Sequence, residues 1–285
     1  MDKLQPRKVK QFQQEILLWF SKNNRDLPWR QTRDPYKILV SEVMLQQTQV
    51  SRVIPKYQEW LAAFPTIEDL AKAKTSEVLR LWSGLGYNRR ALYLQKTAKI
   101  IVEKYTGVFP QDEKGLLSLP GIGEYTARAV LCFARNKQVA VVDTNVRKVI
   151  IHVMLNSFQH QNPQERRSRN KFGMTTKEIQ EIANQLLPHA RAYEWNQALM
   201  DYAAMVLKKE KISIPKQSRF IGSDRYYRGK IIKLLLEIKT VDVKKLGKLL
   251  KDDFLEQDKD WLEEIIKKLV RDGLMKRKNN IVSLA

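Results

Sequence analysis

Thiol chemistry is nearly absent from this chain, which carries one cysteine, Cys132, in 285 residues. A single thiol excludes an intrachain disulfide framework, a four-cysteine zinc site and an iron–sulfur cluster, each of which needs several thiolates. A reducing, intracellular compartment fits that usage. Histidine is scarce too: His152, His160 and His189 lack metal-ligand spacing with Cys132, so no metal and no cofactor is expected. No segment approaches the ~20 apolar residues of a membrane span. The polar, basic start "MDKLQPRKVKQFQQEILLWF" lacks a long apolar core followed by small residues. A soluble, untargeted, cytoplasmic protein with no membrane partner is the expectation.

Positive charge is abundant. Lys and Arg outnumber Asp and Glu by 52 to 31, a formal charge of +21. Such a field favours polyanions, nucleic acid above all, without choosing among them. Helical periodicity dominates: "VKQFQQEILLWFSKN", "PYKILVSEVMLQQTQV", "IPKYQEWLAAF", "SEVLRLWSGL" and "RRALYLQKTAKIIVEKY" place apolar residues three and four apart. Short breaks at Pro and Gly separate them, as in a compact all-α domain. Only "QVAVV" (138–142) reads as a strand, and the charged stretch 157–176 reads as an exposed loop. Near residue 210 a polar, Pro/Gly-broken linker begins. Three short amphipathic helices follow it, then a strand–turn–strand about Asn279–Asn280, the element order of a winged helix.

Three features carry chemistry. The first is "LPGIGEYTARAV", where a short helix runs through Pro120 into a Gly121–Gly123 turn and a second helix. Glycines there let backbone N–H groups approach a phosphate beside a helix N-terminus, although an ordinary αα turn uses the same residues. The second is Asp143, placed between "QVAVV" and the next helix as an N-cap; a carboxylate held there is kept ionised and can face developing positive charge. The third is Glu42, whose helical neighbours Ile38, Leu39 and Leu45 are apolar and which has no Lys or Arg three or four residues away. Partial burial and a raised pKa follow from that setting. One protonated acid and one charged carboxylate is the arrangement that cleaves glycosidic bonds through an oxocarbenium-like state. Trp29, Trp60, Trp82 and Trp195 fall in apolar periodic segments and are expected in the core, with Cys132 as a small buried side chain.

The strings "LPWRQTRDPYKILVSEVMLQQTQV", "LWSGLGYNRRALYL", "LPGIGEYTARAV", "VVDTNV" and "EWNQALMDYAAM" resemble, in order, the signatures of MutY-type adenine DNA glycosylases of the helix-hairpin-helix superfamily, over roughly residues 25–207. The resemblance implies an all-α, two-lobed glycosylase domain (1–207), a linker (208–224) and a small winged-helix-like domain (225–285). It implies a monofunctional, monomeric base-excision enzyme that flips adenine out of a mispair with 8-oxoguanine or guanine in double-stranded DNA and hydrolyses its N-glycosidic bond. By motif position Glu42 protonates adenine N7 and Asp143 stabilises or briefly traps the sugar cation. Tyr125 and Asn145 orient these groups, and Arg30 and Gln197 line the base pocket. Gln47 and Tyr87 wedge into the base stack, while Thr48 and Leu85 lie near the opposite base. A Tyr at 125, where bifunctional relatives place a Schiff-base lysine, implies no strong strand-cleaving activity.

The chain departs from that pattern in three places. Family members usually bind an iron–sulfur cluster through four cysteines after the "QALMDYAAM" helix. Here that stretch is "VLKKEKISIPKQSRF", without cysteine, so Lys208, Lys209 and Lys211 could replace the DNA-binding loop the cluster organises. The family's Nudix-like lesion reader is replaced by the short winged-helix segment. Thr144 stands where many members have glycine. A mismatch thymine or uracil glycosylase and, in another class, a non-catalytic DNA-binding protein remain the rival readings.

Overall fold

In the computed structural model, residues 4–154, 174–208 and 219–285 are described. Helix α1 (Pro6–Asn23) opens the chain, followed by a 3-10 turn (Pro28–Arg30), α2 (Pro35–Leu45), α3 (Val50–Ala63), α4 (Ile67–Lys72), α5 (Thr75–Trp82) and α6 (Arg89–Tyr105). The short α7 (Glu113–Leu117) leads through the glycine turn to α8 (Glu124–Arg135) and α9 (Thr144–Val153), then α10 (Thr176–Leu186) and α11 (Ala192–Met205). The C-terminal region holds α12 (Asp224–Ile238), β1 (Thr240–Asp242), α13 (Val243–Leu250), α14 (Lys259–Arg271), β2 (Met275–Lys278) and β3 (Ile281–Leu284).

Two compact units emerge: residues Met1–Leu39, Gln111–Leu117 and Ile122–Ile214, and residues Val40–Pro110, Ser118–Gly121 and Pro215–Ala285. In the first, α1, α9, α10 and α11 bury one apolar stripe each, with Val149, Ile150, Ile179, Ile182, Trp195 and Ala198 sealed from solvent. In the second, Trp60 and Trp82 meet edge to face at 5.5 Å at the centre of the α3 and α5 packing. A separate core there joins Leu79 of α5 and Leu92 of α6 to Ile231, Ile232 and Leu235 of α12 and to Leu262, Ile265 and Leu269 of α14. Trp29, Trp60, Trp82, Trp195 and Cys132 are buried, as expected.

Three sequence expectations are corrected. "PYKILVSEVMLQQTQV" is not one helix: α2 stops at Leu45, and Gln47 turns the chain with φ 55. "QVAVV" forms no strand; its backbone is hydrogen-bonded instead by a buried side chain, Asn196, which accepts from Val141 N–H at 2.8 Å and donates to the Val139 carbonyl at 3.0 Å. The C-terminal hairpin is a three-stranded sheet in the order β1-β3-β2, because Thr240–Asp242 adds an antiparallel strand to β3 with Val241 opposite Val282. The charged loop (157–173 of it), His160, and most of the linker with Lys209 and Lys211 lie outside the described residues.

Candidate functional site

Asp143 begins α9 as its N-cap, with Oδ1 accepting from Val146 N–H at 2.7 Å and Oδ2 from Asn145 Nδ2 at 2.8 Å. The structure thus brings Asp143 and Asn145 together. Burial pushes the Asp143 carboxyl above the ordinary carboxylate range, against the opposite pull of the hydrogen bonds from Val146 and Asn145. The cap geometry is as expected, but its charge-stabilising effect is outweighed by desolvation. Asn196 fixes the segment leading into this cap, and it is a positioning residue that periodicity could not reveal. Tyr125, the second residue of α8, is half-buried.

In the same unit, Arg30 does not present an idle guanidinium. Its Nη1 and Nη2 grip both carboxylate oxygens of Asp201 at 2.8 and 2.7 Å, and Nη1 also donates to the Arg25 carbonyl. Arg25 Nε adds a 2.7 Å bond to Asp201, whose side chain is fully buried. Burial alone would raise the Asp201 carboxyl, yet Arg30 and Arg25 hold it below the usual range. Gln197 stands one turn before Asp201 on α11, so the two share a face. Gln197 is 5% exposed and makes no side-chain hydrogen bond among the described residues, leaving a buried amide with donors and an acceptor to offer.

In the other unit Glu42 lies on α2, where Val40, Ser41, Val43 and Met44 are all buried and Glu42 itself is 6% exposed. The candidate DNA-contacting residues sit on two turns after α2 and α5. Gln47 and Tyr87 both hold the left-handed backbone conformation, at φ 55 and φ 48, and both are exposed. A left-handed conformation at two non-glycine residues needs support from around it. Arg90, in the first turn of α6, supplies that support. Its Nη1 donates to the carbonyls of Val43 (2.7 Å) and Gln46 (2.7 Å), and Nη2 to those of Leu85 (3.2 Å) and Gly86 (3.1 Å) and to Thr48 Oγ1 (3.4 Å). Trp82 Nε1 donates to the Gly86 carbonyl at 2.9 Å. Burial lowers the Arg90 pKa to about 10, so it stays charged at neutral pH. Leu85 is buried and its carbonyl accepts from Arg90, so the exposed side chain of that turn is Tyr87.

The two glycines of the hairpin turn differ. Gly121 has φ 75, and a Cβ there would fall 2.7 Å from Tyr93 Cβ on α6. Its need for glycine is internal to the fold. Gly123 caps α8 with an extended backbone, and a Cβ there would meet no atom of the described residues within 4 Å, so among them nothing covers this helix N-terminus.

A four-cysteine iron–sulfur cluster does not fit these residues: Cys132 is sealed inside α8 with Asn196 Nδ2 3.3 Å from its sulfur. Among the described residues no group of His, Cys, Asp or Glu could hold a metal ion, and no helix is long and apolar enough to cross a membrane.

The family model described as HhH-GPD superfamily base excision DNA repair protein matches residues 40–175. The chain is 37% identical over 248 residues to the adenine DNA glycosylase of Mycolicibacterium smegmatis, covering 79% of this chain and 80% of that enzyme. It is 33% identical over 212 residues to the thymine/uracil-DNA glycosylase of Methanothermobacter thermautotrophicus, covering 74% and 91% respectively. The solved structure of a thermostable thymine-DNA glycosylase superposes with a TM-score of 0.62 at 33% identity, over 72% of this chain and 90% of that one. With a helical core of this architecture, a glycine hairpin and a capped aspartate in the matched segments, the chain belongs to the HhH-GPD superfamily of base excision DNA repair proteins and is one of its DNA glycosylases.

Proposed function

We propose that this glycosylase removes adenine mispaired with 8-oxoguanine or guanine in double-stranded DNA, without cutting the strand. The observation carrying the chemistry is the contrast between its two carboxyl groups: Glu42 buried within an apolar helix, and Asp143 fixed at a helix mouth by Asn145 and Val146. In this reading the Glu42 carboxylic acid delivers its proton to adenine N7, the C1′–N9 bond breaks with its electrons passing to the base, and Asp143 faces the sugar cation. Water adds to C1′ and passes its proton to the Glu42 carboxylate, which restores the acid and leaves a neutral abasic sugar. A desolvated carboxylate gains more from a nearby cation than a hydrated one, so the raised Asp143 carboxyl suits that task. Gln197, a buried residue whose amide hydrogen-bonds to no other described residue, is the candidate for reading the base edge.

The choice of adenine is supported by the 37% identity to the M. smegmatis adenine enzyme over 248 residues. A thymine or uracil reading is supported by the archaeal relative, which this chain matches across 91% of its length. Single-turnover assays on duplexes holding A·8-oxoguanine, A·G, T·G and U·G separate the two. Release of adenine alone is expected, with no β-elimination on abasic DNA, and Glu42→Gln is expected to slow release about 10²–10⁴-fold. Release of thymine or uracil at the faster rate would reverse the choice of base, and wild-type rates in both Glu42→Gln and Asp143→Asn would defeat the catalytic assignment.

A further inference from the structure

We propose that the C-terminal module supports the Tyr87 turn, with Arg225 as a positioning residue for that tyrosine; the inference rests on the reading of the Gln47 and Tyr87 turns as the DNA-contacting elements of a base-flipping enzyme. A winged-helix element order alone points to a groove reader, with α14 as the helix that enters the major groove. The charges on α14 do not fit that use. It carries Asp260, Glu263 and Glu264, and three of its four cations are ion-paired, Lys259 with Glu256, Lys267 with Glu264 and Lys268 with Asp224, as are Arg277 with Glu263 and Lys251 with Asp258, whereas Lys244, Lys245 and Lys248 of α13 and Lys276 and Lys278 of β2 are exposed. A phosphate-binding face would hold those cations open.

The module's contacts run toward α5 and α6 instead. Leu79 and Leu92 share one buried core with α12 and α14, so the module is packed on these helices and not merely tethered. Asp272, nearly sealed at the end of α14, pairs with Arg228 of α12 and with Arg89 of α6 at 3.4 Å. Beside that pair, Arg225 Nη1 donates to the Tyr87 hydroxyl at 2.7 Å. The ring centroid of Tyr87 lies 6.0 Å from the Arg225 guanidinium and 5.6 Å from that of Arg90. Tyr87 is 41% exposed with a left-handed backbone, a conformation an unsupported tyrosine would leave. Arg90 fixes the backbone of the turn, and Arg225 fixes the end of its side chain, so the ring is held in place before DNA arrives.

The test is a double-mutant cycle on the full chain, read as affinity for a duplex containing a tetrahydrofuran abasic-site analogue at about 0.15 M salt. Arg225→Ala is expected to weaken binding about fivefold to tenfold, as is Tyr87→Phe, and the double variant is expected to be no weaker than either one. Arg225→Lys should recover part of the loss, and thermal midpoints should stay within about 2 °C of wild type. Lys276→Ala/Lys278→Ala, on the exposed face of β2, should bind as wild type. Additive losses in the double variant, an unchanged Arg225→Ala, or a loss in Lys276→Ala/Lys278→Ala as large as that in Arg225→Ala would overturn the inference. If wild-type protein does not prefer the analogue over an undamaged duplex, the glycosylase-site reading fails first and the cycle shows it by the missing preference.

Discussion

Arg90 Nη1 lies 2.7 Å from the Gln46 carbonyl while Nη2 lies 3.1 Å from that of Gly86, so one guanidinium joins the turn after α2 to the turn after α5. Each turn carries an exposed residue in a left-handed conformation, Gln47 in one and Tyr87 in the other. The planar fork of arginine suits this, because its donors diverge toward two separate sets of acceptors.

Arg90→Ala is therefore expected to destabilise the protein by roughly 3 kcal/mol, through several carbonyls left without donors. Arg90→Lys should recover only part, since an ammonium cannot span both turns. Urea denaturation of the three proteins measures this directly. An Arg90→Lys variant as stable as wild type would mean that charge, not the fork, holds the turns.

Asp143→Asn separates capping from chemistry. Asparagine can still accept from Val146 N–H, so α9 keeps its cap. The wild-type carboxyl binds its proton more tightly folded than unfolded, so its stabilising effect is complete below the ordinary value of 3.8 and is lost as pH rises through the elevated folded value. The variant should melt above wild type at pH 7, and this advantage should vanish in acid. Excision should fall about 10²–10³-fold. In the wild type, the acid limb of the single-turnover rate should begin at a higher pH than an unperturbed aspartate would give.

Gly121→Ala and Gly123→Ala are expected to diverge. The first forces a left-handed alanine against Tyr93 Cβ and should cost roughly 2 kcal/mol. The second meets no atom of the described residues within 4 Å and should change stability by no more than about 0.5 kcal/mol. Duplex affinity should nonetheless drop in Gly123→Ala, because the added methyl occupies the open face at the start of α8. Wild-type affinity in that variant would remove Gly123 from the DNA interface.

Asp201→Ala should destabilise by about 3–5 kcal/mol, since it leaves Arg25 and Arg30 without their shared buried counterion. The stabilising effect of this carboxylate is present above its unfolded value of 3.8 and is lost as pH falls through the lower folded value. The gap in melting temperature between wild type and Asp201→Asn should accordingly narrow in strong acid.

Helices α1, α3, α5 and α6, the buried tryptophans and the C-terminal helices were legible because each is written locally, as apolar residues at helical spacing. Glu42 was legible for the same reason, as a lone acid among apolar neighbours. Asp201 carries the same signature within "QALMDYAAM" and was equally open to that reading. The break after Leu45 was not legible: "QQTQ" contains no glycine or proline, and the turn exists because Arg90, far along the chain, captures its carbonyls. β1 is three residues long, too short to show alternation, and the β-rich "QVAVV" has no strand to pair with because Asn196 supplies its hydrogen bonds. Arg89, Arg90 and Arg225 carry no local signal, since their partners lie in other elements.

The sealed thiol at Cys132 has a practical value. Maleimide dyes should leave the native protein unlabelled, so a cysteine introduced at Gln47 would be the one reactive handle without any prior removal of the natural residue. A fluorophore there would report, in real time and on the otherwise unaltered enzyme, the moment at which the turn meets a damaged duplex.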